Sequence, residues 1–421
     1  MPAERFIPFR KQDVIQMCQQ VHSTFLAQDT KHSTEADSNF LTFAKLLVSR
    51  IHYQYHEQLE QLKDSYALFE PNTDTRRLTS VSRDNKKSAQ QTFSKRFASL
   101  LNAANFERVT DDDLAEALNE ESLFKVRLEV SFDDFENVVF YRRGESMKTE
   151  TLRYFFGLRK KDITFTHYDR VAVFITFKDE DYFNNIKQNP VTFTPGSTII
   201  KLFQNVPKAD LEMLFPNSEV RMRPLDKLII GASAAVGGTV VLVTKLGASL
   251  VLMASFLAFY FGLKDESVEL TKQSLITFGI GMGVFGSFVF KEWTKFKNRK
   301  IRFMKALSDN LYFKNLDNNA GVFHTLIDAA EEEDCKEALL AYTFLLQHGN
   351  EGLTAEALDT QIEQWFKHTH SCELDFDIPD AMEKLIAMKL VTQQHERYVA
   401  LPLNEAVKEL DDYWDNIYQP V

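Results

Sequence analysis

Apolar side chains recur at helical spacing through the first part of the chain. The pattern predicts two amphipathic helices, over residues 10–28 and 39–69. The second helix shows the spacing most clearly, at Phe40, Phe43, Leu46, Leu47 and Ile51. Residues 70–92 are polar and predict a loop, after which the helical pattern resumes. The sequence therefore predicts an N-terminal helical region over residues 1–120.

From Leu123 the apolar period changes to two, which indicates β-strands. The stretches that carry it are VRLEVSF, NVVFYRRG, RVAVFITFK and STIIKLFQN. Their connections are too short and irregular for repeated strand-helix crossovers, which favours antiparallel pairing. We therefore expect an antiparallel, β-rich α+β domain over residues 121–220.

A long apolar block follows at residues 228–263, in which Lys245 is the single charge, and a second apolar run covers Ser274–Phe290. As one helix, the first block would measure ~54 Å at ~1.5 Å per residue, more than the ~30 Å hydrocarbon core of a bilayer. We expect it to break, with a first span over Gly238–Gly262. The sequence thus predicts a transmembrane helical hairpin over residues 221–300, and a third span stays open.

Basic residues flank this block on both sides, which predicts that both flanks face the cytosol and that the number of crossings is even. The predicted membrane-anchoring flanks are Arg221, Arg223, Lys227, Lys291, Trp293, Lys295, Lys297, Arg299 and Lys300. Lys245 would lie inside the first span, within reach of the basic interface.

The segment 301–421 has the pattern of a helical domain. The apolar spacing is helical over Ile301–Leu316 and Ala320–Leu346. In the last ninety residues, helices are predicted at Lys336–Gln347, Thr354–Phe366 and Pro379–Met388, and two short strands follow in LVTQQHERYVALPL. This order fits a winged-helix domain, with another helical arrangement as the alternative. The acidic run Glu331–Asp334 precedes the first of these predicted helices, where acidic side chains favour the helix dipole.

Charge separates the C-terminal segment from the rest of the chain. The net charge is −11, and residues 331–421 carry 20 Asp and Glu against six Lys and Arg. A surface this acidic repels nucleic acid, because phosphate binding needs clustered cations. We expect residues 331–421 to fold alone and to bind a protein partner. The predicted fold class is an α+β multidomain membrane protein with these four consecutive regions.

Two groups of side chains have spacings that could hold a metal ion. They are His52 with His56 on a predicted helix, and His368, His370, Cys372 and Glu373 in the loop HTHSCE. Neither group has a complete ligand set, and the three cysteines form no CxxC pair. We therefore expect no metal, and the absence of phosphate-binding glycine loops predicts no nucleotide cofactor and no catalytic residues.

One basic pair in the predicted sheet could bind an anion. Arg142, Arg143 and Gly144 stand at the end of a predicted strand, where cationic side chains could meet a phosphate or a lipid headgroup. The simpler interpretation is an ordinary charged turn.

Several stretches of this chain resemble a known family. They are ERFIPF at Glu4–Phe9, FYRRGE at Phe140–Glu145, KLFQNVPKADLEMLFP at Lys201–Pro216, and the run Leu311–Leu346. With these stretches the chain resembles the domain-of-unknown-function 3754 family, whose members are transmembrane protein 143-like. The resemblance implies a paired-span membrane anchor between soluble domains. It implies no activity, cofactor or catalytic residue.

From these features we expect a membrane-anchored interaction or scaffold protein. Its partners would be a lipid bilayer and a protein bound by the C-terminal domain, and a homo-oligomer stays open. The alternative is a membrane-surface enzyme or lipid-handling protein that acts through the α+β domain. The N-terminus lacks a signal peptide or presequence. The expected location is a bacterial inner membrane with both termini in the cytosol, and a mitochondrial membrane is the alternative.

Overall fold

The computed structural model describes residues 5–28, 34–71, 83–119, 127–154, 159–185, 193–221, 239, 247–263 and 271–418. The chain divides into two compact units. Unit 1 comprises Met1–Leu114, Asp133–Lys208 and Asn315–Val421, and unit 2 comprises Ala115–Phe132 and Ala209–Lys314. Each unit is assembled from segments that are distant in sequence, so the units differ from the four consecutive regions expected from the sequence.

Most helices of unit 1 come from the two ends of the chain, and unit 2 contains the two helices that carry the apolar runs. In chain order the helices are α1 (Lys11–Gln28), α2 (Thr34–Tyr66), α3 (Arg83–Ala103), α4 (Asp111–Asn119), α5 (Glu180–Asn185), α6 (Gly247–Tyr260), α7 (Lys272–Lys314), α8 (Ala320–Leu346), α9 (Ala355–His370), α10 (Ile378–Ala387) and α11 (Leu403–Asn416). The amphipathic helices predicted near the N-terminus are α1 and α2. Helix α3 begins ten residues before the predicted end of the polar loop.

A five-stranded antiparallel sheet lies in unit 1, with the order β1-β3-β4-β5-β7. The strands of the whole chain are β1 (Glu107–Arg108), β2 (Arg127–Glu129), β3 (Phe135–Tyr154), β4 (Arg159–Phe177), β5 (Thr198–Pro207), β6 (Glu219–Arg221), β7 (Asn315–Asn318), β8 (Leu353–Thr354), β9 (Val391–Gln394) and β10 (Arg397–Ala400). The predicted α+β class with antiparallel pairing is confirmed. VRLEVSF contributes only β2, which pairs with β6 in a separate two-stranded sheet.

Strands β3 and β4 are longer than their apolar patterns predicted. They pair from Phe135↔Phe177 to Tyr154↔Arg159, whereas β5 covers only the part of β4 between His167 and Thr176. Gly144 lies inside β3 rather than at a strand end. It has φ +70°, and a Cβ there would lie 2.5 Å from an Asp169 carboxylate oxygen, so the local backbone requires glycine.

Helix α8 forms the centre of unit 1. It contacts α1, α2, α3, α9 and α10, and nearly every residue from Ala330 to Leu345 is buried. Aromatic rings fill the space around it: Phe43 stacks on Tyr342 at 4.2 Å between ring centroids, and Phe323 contacts Phe93 at 5.8 Å. Each buried aromatic side chain contributes roughly 1.5–3 kcal/mol. The N-terminal helices and the C-terminal segment therefore share one hydrophobic core.

The C-terminal part of unit 1 has the element order and sheet topology of a winged helix. Helices α8, α9 and α10 are followed by the hairpin β9–β10, and β10 also pairs with β8, giving the sheet order β8-β10-β9. Local sequence sets the helix starts. Thr354 caps α9 by accepting a bond from the Ala357 amide, and Asp377 caps α10 by accepting one from Asp380.

Unit 2 contains α6 and α7, which contact each other, and the small sheet β2–β6. Helix α6 is short, whereas α7 continues from the apolar run Ser274–Phe290 into a stretch rich in lysine and arginine. Large apolar side chains on both helices are exposed, including Val251, Ile280 and Phe290.

The predicted transmembrane hairpin is wrong for the part of the chain that the structure describes, where no helix is long and apolar enough to cross a bilayer. Helix α6 has 14 residues, so it spans ~21 Å, against ~30 Å for a hydrocarbon core. In α7 the charged stretch follows directly after the apolar one. This finding overturns the membrane part of the predicted fold class and the predicted integral-membrane location. Residue 238 and residues 240–246 of the first predicted span, Lys245 among them, lie outside the described residues.

Candidate functional site

The acidic run Glu331–Asp334 lies in the middle of α8 and is mostly buried. Because α8 begins at Ala320, the expectation that this run precedes a helix and favours its dipole is wrong. Four acidic side chains in a buried helix require partners, since an unpaired charge in the interior is costly. The partners come from distant parts of unit 1, so the run joins several elements to α8.

The first acids of the run hold the N-terminal segment. Glu331 accepts from Lys11 Nζ at 3.3 Å and lies 2.7 Å from His52 Nδ1. Glu333 accepts the amide of Ile7 at 3.0 Å and pairs with Lys336 Nζ at 2.8 Å. Lys336 in turn donates to the carbonyl oxygen of Ile7 at 2.8 Å. The stretch ERFIPF is thus held by two buried, oppositely charged side chains of α8.

The last acid of the run faces α2 and α10. Asp334 accepts a bond of 2.6 Å from the Tyr55 hydroxyl of α2 and lies 2.5 Å from Nζ of Lys384 on α10. Lys384 also donates to Asp380, one turn earlier on α10. Glu337, one turn further along α8, is buried, and among the described residues its hydrogen-bond partner is the side-chain amide of Asn105 at 3.5 Å.

Burial dominates the electrostatics of these carboxyl groups. It raises the pKa of Asp334 to about 6, although Lys384 and Tyr55 act in the opposite direction. It raises the pKa of Glu337 well above its ordinary value. For Lys384 burial lowers the pKa, but the surrounding charges of Asp334, Asp380 and Glu337 outweigh it, so the pKa is raised. Lys384 therefore stays cationic at neutral pH and is the counter-charge of the group.

These side chains form one wall of an open cleft of about 690 Å³ between α2, α3, α8 and α10, named here the α2–α10 cleft. Its carboxyl groups are Glu57, Asp334, Asp380 and Glu383, and its cations are Arg96 and Lys384. A row of amides from α2 lines one side, at Gln54, Gln58 and Gln61, and apolar side chains such as Ile51, Leu62, Leu100 and Met388 line the rest. The cleft is therefore polar, acidic at its exposed rim, and apolar in part.

Asp334, Glu337 and Asp380 could together hold a metal ion, because one carboxylate oxygen from each lies within 4.8 Å of the others. Lys384 lies among them, in contact with both aspartates. Its ammonium group takes the position that a cation would occupy. The protein's own lysine thus supplies a cation to the two aspartates of the cluster.

The histidine groups considered from the sequence do not assemble into metal sites within the described residues. His52 pairs with Glu331, while His56 is exposed. His370 packs on Trp365 with 4.9 Å between ring centroids. Glu373 pairs with Lys367 at 2.8 Å. The exposed His368 and the half-buried Cys372 belong to no group of three metal-ligating side chains among the described residues.

The arginines of β3 have separate environments. Arg142 pairs with Glu107 at 3.2 Å and with Glu145. Arg143 lies between the rings of Phe6 and Phe106 and donates to the carbonyl oxygen of Ala104 at 3.2 Å. The interpretation as a charged turn is wrong, because both arginines belong to a continuous strand.

The predicted flanking cations belong to unit 2. Arg223 and Lys227 lie outside the described residues, and Arg221 is the last residue of β6. The others lie on α7, where Trp293 is exposed and Lys295 pairs with Glu292 at 2.5 Å. They are Lys291, Trp293, Lys295, Lys297, Arg299 and Lys300. Their assignment as membrane anchors depended on the hairpin that the structure contradicts.

Sequence reasoning missed Tyr55, Asp334, Asp380 and Lys384. One signal was present: the run EEED stands inside a stretch that is apolar on every helical face, from Ala320 to Leu346. Acidic residues in such a helix must be buried, and buried acids indicate a network. The partners themselves, at sequence separations of up to 279 residues from Asp334, had no sequence signal.

Comparison with known proteins finds a matching family model but no similar solved structure. No solved structure matches the chain. The family model described as "Protein of unknown function (DUF3754)" matches residues 168–321. The match includes the stretch Lys201–Pro216 and the start of Leu311–Leu346, but neither ERFIPF nor FYRRGE. It covers β4 from Tyr168 onward, β5, unit 2 from Ala209 onward, and β7. The resemblance stated from the sequence is confirmed over residues 168–321, which match the model of the DUF3754 family.

Proposed function

We propose that this protein is an interaction protein whose α2–α10 cleft binds a basic segment of a protein partner. The observation that carries the proposal is the acidic rim of the cleft. Glu57 and Glu383 are exposed and Asp380 is half-buried, whereas Lys384 is already neutralised by Asp334 and Asp380. A lysine or arginine of a partner would be attracted to this rim, and opposite charges across an interface favour correct association.

The lining of the cleft also suits a peptide. Gln54, Gln58 and Gln61 follow one face of α2, because residues three and four apart are neighbours on a helix. Their amides can both donate to and accept from a peptide backbone. Ile51 and Met388 offer apolar surface to the aliphatic stem of a lysine.

Two observations favour binding over catalysis or DNA recognition. At the floor of the cleft, both oxygens of Asp334 are engaged, one by Tyr55 and one by Lys384. In DNA-binding helix-turn-helix domains the recognition helix enters the major groove. The corresponding helix here, α10, directs Lys384 toward α8, and residues 331–421 are strongly acidic.

The test is a titration of the full chain against a fluorescent peptide that contains four lysines, with the same peptide carrying glutamines as the comparison. We expect the lysine peptide to bind, and its dissociation constant to rise ~3- to 10-fold in the variant Glu57→Gln/Glu383→Gln, since each exposed ion pair contributes ~0.2–1 kcal/mol. The matched control is Glu396→Gln in the β9–β10 turn, which leaves the cleft unchanged. Equal binding of both peptides, or tighter binding of duplex DNA, would reject the proposal.

A further inference from the structure

A second cleft of unit 1 is rich in arginine. It has a volume of about 340 Å³ and is lined by the N-terminal segment, β3, β4 and α8. Its cations are Arg10, Arg143, Arg170 and Lys336. We name it the arginine cleft.

Two of these arginines stand directly opposite each other in the sheet. The β3–β4 register pairs Arg143 with Arg170. Like charges at directly opposite positions of an antiparallel pair destabilise the sheet unless a counter-charge is present. An anion between them would remove this repulsion.

The described residues provide part of that counter-charge, since Glu333, Glu332 and Asp169 act electrostatically on Arg143. Arg170 donates to the side-chain oxygen of Gln204 at 3.1 Å, and no carboxylate of the described chain lies within ion-pair distance of it. Arg143 lies 3.6 Å from Glu333, but Glu333 is shared with Lys336 at 2.8 Å and with the amide of Ile7. Lys336 and the Ile7 amide therefore already balance most of the charge of Glu333, which leaves little of it for Arg143.

The other carboxyl groups of the arginine cleft are Asp328 and Glu332. Glu332 accepts the backbone amide of Lys11 at 2.9 Å, which directs one of its oxygens to the start of α1. Asp328 is exposed to solvent. With four cations against three carboxylates, the cleft keeps a net positive charge, and Arg170 is one of its cations without an ion pair among the described residues.

The guanidinium of Arg143 is already held in place. It donates to the Ala104 carbonyl oxygen at 3.2 Å and lies 4.7 Å from the ring centroid of Phe6, and 19% of its side chain is exposed. A fixed guanidinium loses little freedom when it binds an anion, and its planar donors match the oxygens of a phosphate.

We infer that the arginine cleft binds a phosphate group, held between Arg143 and Arg170. The same chemistry is offered by a phosphate in solution and by the phosphate of a lipid headgroup. Binding would place a dianion between two cross-strand cations and would thereby stabilise the β3–β4 pair.

The test compares the full chain with Arg170→Gln, and with Arg108→Gln as the matched control, because Arg108 is exposed on β1 and does not line the cleft. We expect inorganic phosphate to raise the melting temperature of the wild type more than chloride does at equal ionic strength. In Arg170→Gln this increment disappears and the dissociation constant measured by calorimetry rises about tenfold or more. Without phosphate, we expect Arg170→Gln to be at least as stable as the wild type. If Arg170 had only a structural role, its replacement would lower the stability.

A second arm separates the sources of the phosphate. Vesicles of phosphatidylcholine with and without phosphatidate are sedimented with each protein. Retention on phosphatidate vesicles that Arg170→Gln abolishes supports a lipid phosphate, and calorimetric binding without retention supports a soluble one. The inference is overturned if phosphate acts no more strongly than chloride and phosphatidate retains no protein, or if Arg108→Gln and Arg170→Gln change binding equally.

Discussion

Lys384 Nζ lies 2.5 Å from Oδ1 of Asp334, with 20% and 5% of the two side chains exposed. This pair joins α10, the third helix of the winged-helix element order, to the middle of α8. Since α8 also holds the N-terminal segment and α2 through neighbouring acids, one run of four residues connects both ends of the chain.

Replacing Lys384 by methionine should lower the free energy of unfolding by about 3 kcal/mol, because Asp334 and Asp380 lose their shared cation while Asp334 stays buried. Urea denaturation at pH 7.5 measures the change. Adding Asp334→Asn should recover part of the loss. The control Lys389→Met, which breaks an exposed pair with Glu409, should change stability by less than about 1 kcal/mol. Equal losses in the two single variants would contradict the assignment.

The stability contributed by Asp334 should fall as pH rises. Its folded-state pKa of about 6 lies above the ordinary 3.8, so the folded protein binds the proton more tightly than the unfolded chain. The contribution is complete below pH 3.8 and is lost as pH rises through 6. Between pH 4 and 7 the wild type should lose up to ~3 kcal/mol relative to Asp334→Asn. Denaturation curves at several pH values test this, and Asp411→Asn, at an exposed site, should show no such trend.

Gly352 should tolerate no side chain. Its φ is +58°, and a Cβ would lie 2.3 Å from the backbone oxygen of Tyr398, so Gly352→Ala must displace β10. We expect a loss of about 3 kcal/mol or more. Gly349 also has positive φ but faces open space, and Gly349→Ala should cost about 1 kcal/mol. Thermal unfolding of both variants separates the clash from the conformational cost, and similar melting temperatures would argue against the close approach.

The isolated segment 331–421 should not unfold cooperatively. The sequence favoured an independent domain, but the structure buries α8 against α1, α2 and α3, with Phe43 stacked on Tyr342. Without residues 5–119 this surface would be exposed to water. Near-ultraviolet circular dichroism should show no fixed aromatic environment for the fragment, and co-expression with residues 1–119 should restore it. A sharp thermal transition of the fragment alone would show that the shared core is dispensable.

Local apolar patterns predicted which helices and strands form more accurately than they predicted the lengths of these elements. Apolar periodicity placed α1, α2, α9 and α10, because each of these helices has one buried and one exposed face. The hairpin β9–β10 was also placed correctly, as two short strands around a polar turn. It failed for the outer part of β3–β4, where pairs such as Thr149 and Thr164 bond across the strands at 3.1 Å without burial. The apolar block was taken for membrane spans because hydrophobicity alone does not reveal where a helix ends.

The residues of the candidate site could not be predicted from local sequence patterns, for a different reason. Tyr55, Asp334 and Lys384 are brought together by the docking of α2 and α10 on α8, and each residue by itself has an ordinary local context. Only the acidic run within an apolar helix carried information. The apolar period over Ala320–Leu346 placed the run inside a helix, whereas the helix predicted at Lys336–Gln347 placed it before a helix start.

The hydrogen bond between the Ile7 amide and Glu333 joins residues 326 positions apart in sequence. During synthesis, this separation delays the formation of the bond. At ~5–20 residues per second, the ribosome adds Glu333 roughly 16–65 s after Ile7. During that interval the N-terminal segment and the apolar faces of α1 and α2 lack the helix that covers them. Exposed apolar faces of this kind favour aggregation, and a slowed translation between residues 119 and 320 would prolong that exposure.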